Sequence, residues 1–464
     1  MARSGTGVLI LAAGKGTRMK SDTPKVLLPL LEEPLLYYPL VSTDSPDFSG
    51  RGVVVGHGSD KVSAYLEKSW PGSEVIEQKQ QLGTGHAVAA ARKWISRFDH
   101  VLIIPGDVPL LGRETLSMLH SRHLEGDEDC SFLVFEPDDP SGYGRVIHTE
   151  KGFRIVEEKD AMEHEKKCGR VNGGIYAFRT TVLLEHIDSL GKDNAQGEYY
   201  LTDVIHDLCQ EGKKIRMLLC PDPEEIEGVN DPQQLDVMSR RLRKRILAKH
   251  MSCGVKCVDS ESVWVGPGVR LGEDVMLDPF VQLWGDTSLG KGSRIGSFSI
   301  VRNSIIGENV HLLGHVVLND SEIQNDARIG PFSFIREGSV LREGAYVGKF
   351  VEVKKSVIGK RSKVPHLSYV GDATLGEDVN IGAGTITCNY DGVKKNPSVI
   401  GDGCFVGSDT MLVAPVTLGE GAYTAAGSVI TRDVPPGSLA IGRARQKNIE
   451  GWSARRKGPK EEGE

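Results

Sequence analysis

The sequence predicts an α/β domain with a mostly parallel sheet, then a linker helix, then a parallel β-helix built of six-residue units. Three observations carry this. Short apolar runs alternate with helix-length segments up to about Asn230, a basic segment with helical spacing comes next, and an aliphatic residue recurs at about every sixth position from Val265 to Ile430. At 464 residues the chain is too long for one core, and the expected division is 1–231, 232–251, 252–445 and a tail, 446–464.

In the first part, Val8-Leu9-Ile10-Leu11, Gly52-Val53-Val54-Val55, Val101-Leu102-Ile103-Ile104 and Ser131-Phe132-Leu133-Val134-Phe135 have the continuous apolar pattern of strands buried on both faces. Gly85–Phe98 and Arg113–His123 have helix length. Ligands of such sheets bind where the strands end, so the loops after them are the places to search. The linker Gln233–Met251 places Leu235, Met238, Leu242, Ile246 and Leu247 at helical spacing. Its run of Arg240, Arg241, Arg243, Lys244 and Arg245 reads as a solvated face rather than a nucleic-acid patch.

The second part repeats. Aliphatics fall at Val265, Leu271, Leu277, Leu283, Leu289, Ile295 and Val301, slip one residue to Ile306, Leu312 and Leu318, and slip again to the series Ile323–Val353 and Ile358–Val370. Glycine comes after many of them, as at Gly266, Gly272, Gly290, Gly296, Gly307, Gly330, Gly348, Gly359, Gly371, Gly376, Gly382, Gly401, Gly407 and Gly419, and is expected to supply the turn backbone at each corner. The period breaks over Cys388–Pro397, which predicts a loop on one face, and resumes at Ile400. Pro435-Pro436 is expected to close the β-helix, and Arg455–Glu464 to be disordered at its tip.

The apolar fraction of 39% suits globular packing, and the net charge of -7 argues against a nucleic-acid partner. No run approaches the roughly 20 apolar residues of a membrane span, and Val8–Ala13 is too short for a signal peptide. A cytoplasmic protein is expected. The eight cysteines are scattered, and the lone close pair Cys253…Cys257 does not make a zinc site.

After the first apolar run stands Leu11-Ala12-Ala13-Gly14-Lys15-Gly16-Thr17-Arg18-Met19, then Pro24-Lys25. Glycines let the backbone approach a polyphosphate, and Arg18 and Lys25 add charge. A lone Gly-x-Gly would be a tight turn; the whole run is more specific, and it resembles the signature of nucleotide-sugar pyrophosphorylases. Ile103-Ile104-Pro105-Gly106-Asp107 then puts a carboxylate after a buried strand, which suits Mg²⁺ held together with phosphate oxygens.

The resemblance narrows over the second half. The strings Gly330-Pro331-Phe332…Arg336, Gly348–Lys355, His366-Leu367-Ser368-Tyr369-Val370-Gly371-Asp372 and Asn380–Gly392 resemble the acetyltransferase half of the bacterial bifunctional N-acetylglucosamine-1-phosphate uridylyltransferase/glucosamine-1-phosphate N-acetyltransferases, and the likeness runs in domain order from about Val8 to Trp452. Gly173 and Pro365 depart from that pattern without removing a functional group.

This resemblance implies a Rossmann-like nucleotidyltransferase domain, then a left-handed β-helix. It implies that acetyl-CoA acetylates glucosamine-1-phosphate and that UTP then gives UDP-N-acetylglucosamine, a precursor of peptidoglycan and lipopolysaccharide, with Mg²⁺ as cofactor in a homotrimer. It assigns UTP and sugar nucleotide to Leu11, Ala12, Ala13, Gly14, Lys25, Gln78, Gly83, Thr84, Gly106, Asp107, Gly144, Glu157, Asn172 and Asn230; the metal to Asp107 and Asn230; catalysis of uridylyl transfer to Lys25 and Arg18. By the same likeness Arg336, Lys354, Tyr369 and Asn380 take glucosamine-1-phosphate, and Ala383, Asn389, Tyr390, Ser408, Ala426 and Arg443 take acetyl-CoA. Amide formation needs an unprotonated amine, and histidine is suited to act as base near neutrality. A lone histidine in a coil is more often structural; it is the place of His366 in the matched string by which the resemblance implies that it is this base. A single-activity pyrophosphorylase with a structural β-helix, and a non-catalytic scaffold, are the rival classes.

Overall fold

The computed structural model describes residues 3–456. The expected disordered tip lies beyond Arg456 and so outside the described residues; Arg455 and Arg456 themselves end a short exposed helix, Trp452–Arg456. The chain divides into two compact units, Met1–Leu242 and Arg243–Glu464.

The first unit is built on β1 (Thr6–Ala12), β2 (Gly50–Val55), β3 (Ser73–Glu77), β4 (His100–Pro105), β5 (Cys130–Phe135), β6 (Arg145–Thr149), β7 (Gly152–Val156), β8 (Val171–Arg179) and β9 (Ile215–Leu219). Their order is β9-β5-β8-β4-β1-β2-β3, with the β6–β7 hairpin attached beside β8. β1 runs parallel to β2 and β4, β2 to β3, and β5 to β9; only β8 and the hairpin run antiparallel. Helices cover both faces, so Val8, Leu9, Ile10, Leu102 and Ile103 are all fully buried. Because β8 is reversed, its first residues lie at the edge where the parallel strands end. One expected helix is interrupted: Gly85–Phe98 becomes Thr84–Ala90 and Arg92–Ile95, with the break at Ala91. The helix Pro232–Ser252 spans the division between the units.

The second unit is a β-helix of three sheets with 11, 10 and 9 strands, all pairing in parallel. Strands are mostly two or three residues long, and each pairs with the strand three positions on, one coil later. The inward series is buried as expected, from Val265, Leu277 and Leu283 at 0% through Ile329 and Val353 at 0% to Ile430 at 5%; Leu271, in the first coil, is only partly covered. The β-helix does not stop at Pro435-Pro436: strand Leu439–Ala440 adds to one sheet beyond them.

The role of the glycines differs from the expectation. None of the fourteen glycines placed after an inward aliphatic has a positive φ. They are required for close stacking. A Cβ on Gly348 would lie 1.8 Å from the Pro365 carbonyl oxygen, and one on Gly359 1.9 Å from that of Gly376. The left-handed corners are instead held mainly by non-glycine residues, among them Phe280, Phe298, His315, Phe332 and Phe350, whose rings stack face to face at 4.8–5.2 Å. Stacking between coils offsets the backbone strain at these positions.

Candidate active sites

In the first unit the loop after β1 turns at Gly16 in the left-handed region (φ 57), and a Cβ there would lie 2.7 Å from Lys25 Cβ. That contact seats Lys25 beside the loop, while Gly14 and Arg18 stay exposed. Lys25 reaches across the sheet edge: its ammonium donates to Asp107, just beyond β4, and at 3.2 Å to Asn230 Oδ1, 205 positions away in sequence. Gly106 N–H donates to the Leu11 carbonyl at 2.9 Å, and Val229 N–H to the Asp107 carbonyl at 3.0 Å, so backbone bonds lock the three segments together. The Lys25 and Asp107 side chains are 14% and 18% exposed, so their attraction is less screened than at a free surface.

This arrangement bears on a divalent cation. A carboxylate and an amide oxygen already converge on one positive charge, and such hard oxygen donors fit Mg²⁺, which keeps waters and phosphate oxygens in its other positions. Among the described residues no group of three or more His, Cys, Asp or Glu is placed to hold a metal, so substrate oxygens would complete the shell.

Two further segments border the same edge. Gln78, just beyond β3, is buried to 3% and donates through Nε2 to the Gly83 carbonyl at 3.1 Å. Gly83 has φ 108, where a Cβ would meet the Tyr199 carbonyl at 2.5 Å, and Thr84 Oγ1 accepts from Leu201 N–H. On the β8 side, Asn172 N–H donates to the Gly144 carbonyl at 2.8 Å, and its Nδ2 donates to Tyr176 OH across a bulge in β8. Burial raises the Glu157 carboxyl above the usual range, although Thr202 donates to it at 3.2 Å. Gly173, which departs from the family pattern, packs so tightly that a Cβ would lie 3.0 Å from the Leu133 carbonyl.

In the second unit, Arg336 pairs with Glu352 at 2.7 Å and Glu337 at 3.5 Å, and Lys354 also reaches Glu337. The inserted segment is a small hairpin bridged at Tyr390 and Lys395. Asp391 organises it by accepting from Val393 and Lys394 N–H and from Asn396 Nδ2, which lower its carboxyl from 3.8 to about 2. The hairpin brings the Lys395 ammonium against that of Lys354, and this contact lowers Lys395 below the usual lysine range. Arg336, Lys354 and Lys395 thus gather three basic side chains, with Glu337 and Glu352 paired among them. Asn389, nearly buried, donates to Asp372 at 2.6 Å and Tyr369 OH at 3.4 Å, while Tyr390 is exposed.

His366 lies in register with Lys349. The paired positions Lys363, Asn380, Phe405 and Tyr423 carry the register onward, so His366, Ala383, Ser408 and Ala426 succeed one another up a single corner. Arg443 lies next to Gly427 on the final coil. His366, Ser408, Ala426 and Arg443 are exposed, and among the described residues the His366 side chain makes no hydrogen bond. The single chain thus presents two separate groups: the charged cluster with Asn389, and the open column led by His366.

Lys395, Glu337, Glu352 and Asp372 are not singled out by the sequence. The charge of Lys394-Lys395 inside the break of the repeat is the available signal for the first. Of the acidic partners, Glu352 and Asp372 fall inside matched strings without being given a role there, and Glu337 sits at an ordinary surface position of the repeat.

Residues 8–225 match the MobA-like NTP transferase domain family, and 397–432 match the bacterial transferase hexapeptide family (six repeats). The chain is 47% identical over 450 residues to the bifunctional protein GlmU of Fervidobacterium nodosum, with 97% of each chain covered. It is 44% identical to that of Thermosipho africanus and 42% to that of Koribacter versatilis, each again with 97% of both chains covered.

Proposed function

The chain belongs to the family of bifunctional GlmU proteins, and from that membership we infer that it acetylates glucosamine-1-phosphate and then uridylylates the product, giving UDP-N-acetylglucosamine. The observation that carries the second step is the convergence of Lys25, Asp107 and Asn230 from three distant segments.

In the first unit an oxygen of N-acetylglucosamine-1-phosphate attacks the α-phosphorus of UTP in line. The new P–O bond forms as the bond to the β-phosphate breaks, and pyrophosphate leaves with its electron pair. The nucleophile is already an anion, so no general base is required; Lys25 and Arg18 neutralise charge and orient the phosphates. Mg²⁺, held by Asp107 and Asn230, would supply further neutralisation of the triphosphate. Gln78, Gly83 and Thr84 take the base, while Gly144, Glu157 and Asn172 take the sugar.

In the second unit the glucosamine amine attacks the acetyl-CoA thioester. The C–N bond forms, the C–S bond breaks, and the amine proton passes to His366 and on to the departing thiolate. Arg336 and Lys354 hold the sugar phosphate, with Tyr369 and Asn380 on the sugar. Asn389 and Tyr390 orient the acetyl group, and Ala383, Ser408, Ala426 and Arg443 line the path of the carrier up the column. The assembly is a homotrimer with sites between neighbours, and the protein works in the cytoplasm. No helix among the described residues is long and apolar enough to cross a membrane.

The test is one incubation of glucosamine-1-phosphate, acetyl-CoA, UTP and Mg²⁺, with products identified by mass. UDP-N-acetylglucosamine is expected. Sugar nucleotide formed only when N-acetylglucosamine-1-phosphate is supplied would leave the single-activity reading standing.

A further inference from the structure

We propose that His86 is a specificity-determining positioning residue: it locks the Gln78 amide so that only an acceptor faces the nucleobase, which selects uracil over cytosine. The proposal rests on the base-reading role of Gln78 in the proposed uridylyl transfer.

Gln78 Nε2 lies 3.1 Å from the Gly83 carbonyl and 3.0 Å from His86 Nδ1. A carbonyl can only accept, so the atom facing Gly83 must be the amide nitrogen. One of its hydrogens goes to Gly83 and the other points at His86 Nδ1, which must then be unprotonated, with the ring proton on Nε2. The His86 ring is held in place by stacking on Tyr199 at 6.1 Å and 21°. The backbone of Gln78 is pinned as well, its N–H donating to the Val55 carbonyl at 2.8 Å and its carbonyl accepting from Gln81 at 2.9 Å.

Both amide hydrogens are thus committed, and Oε1 is what Gln78 can offer a ligand. Among the described residues the Gly83 N–H makes no hydrogen bond, so the same short segment offers a donor too. An acceptor beside a donor complements the N3–H and O4 edge of uracil. Cytosine presents the opposite polarity, an unprotonated N3 and an amino group, and would set lone pair against lone pair. A glutamine free to rotate its amide would accept either base. The Gly83 carbonyl opposes that rotation, because a flipped amide would set oxygen against oxygen, and His86 adds the second restraint as long as its ring proton stays on Nε2.

The experiment compares UTP and CTP as nucleotide donors in Mg²⁺-dependent transfer to N-acetylglucosamine-1-phosphate, using the full chain, His86→Phe and Gln78→Ala. His86→Phe keeps a ring against Tyr199 and removes the acceptor. Its UTP-over-CTP ratio of kcat/KM is expected to fall by about tenfold, roughly the worth of one hydrogen bond, chiefly through the KM for UTP. An unchanged ratio in His86→Phe, with a lowered ratio in Gln78→Ala, overturns the role of His86 and leaves base reading by Gln78 intact. An unchanged ratio in Gln78→Ala overturns base reading itself, and this proposal with it. A readout independent of variant folding is the ¹⁵N NMR signature of His86 in the labelled native chain. The Nε2–H tautomer is expected, and a proton on Nδ1 refutes the lock.

Discussion

At the scale of single residues, Lys25 and Asp107 are each half of a partly buried charge pair, so removing either leaves the other uncompensated. Lys25→Ala or Asp107→Ala is therefore expected to lower uridylyl transfer by about 10²–10³-fold, the usual loss when one charge-stabilising group is removed. Acetyl transfer, which uses residues of the other unit, should stay close to the parent rate. Separate assays of the two half-reactions decide this, and equal loss of both in a folded variant would sink the assignment. For His366 the expectation is a fall in acetylation of about 10²–10⁴-fold on change to Ala, with acetyl-CoA affinity little altered. Part of the rate should return as pH rises, because more of the substrate amine is then already unprotonated. A His366→Ala rate near that of the parent at neutral pH would leave this exposed histidine without a catalytic role.

At the scale of elements, the β-helix and its hairpin make different demands. The absent side chain of Gly359 is what lets adjacent coils approach, so Gly359→Ala should destabilise the second unit by about 1–3 kcal/mol, the usual cost of overpacking. Urea unfolding measures it, and an unchanged midpoint would mean the coils part freely. The hairpin is pH-sensitive through Asp391. Its carboxyl is lowered from 3.8 to about 2 by hydrogen bonds from Lys394 N–H, Asn396 and Val393 N–H. A depressed carboxyl contributes its stability above the unfolded value, so that contribution is complete above about pH 4, declines as pH falls, and is gone below about pH 2. Amide exchange of Val393 and Lys394 should accelerate across that window and be fast at every pH in Asp391→Ala. Slow exchange in the variant would contradict this.

At the scale of the whole molecule, the second unit has its own continuous core, from Leu247 on the linker helix to Val434. A fragment beginning near Cys253 should fold without the first unit and, on the proposed assembly, form a trimer. Light scattering at micromolar concentration gives the mass directly, and a monomer would argue against sites shared between copies.

The sequence by itself determined both fold classes, because each rests on a local rule. A strand buried on two faces needs an unbroken apolar run, as in Val101–Ile104, and a coil of six-residue units needs an inward aliphatic at each step, as from Val265 to Ile430. The glycine after each aliphatic was equally visible, but its reason was not: the space it leaves at Gly348 and Gly359 belongs to residues of the next coil. Only the tertiary structure decided what meets at the sites. Insertion of reversed β8 between β4 and β5 sets which strand ends share an edge, and the convergence of Lys25, Asp107 and Asn230 there has no periodicity to betray it. Lys395 against Lys354 and His86 behind Gln78 are hidden for the same physical reason. Local pattern reports which surface of an element is buried, whereas side-chain contact depends on which other elements the chain brings to cover it.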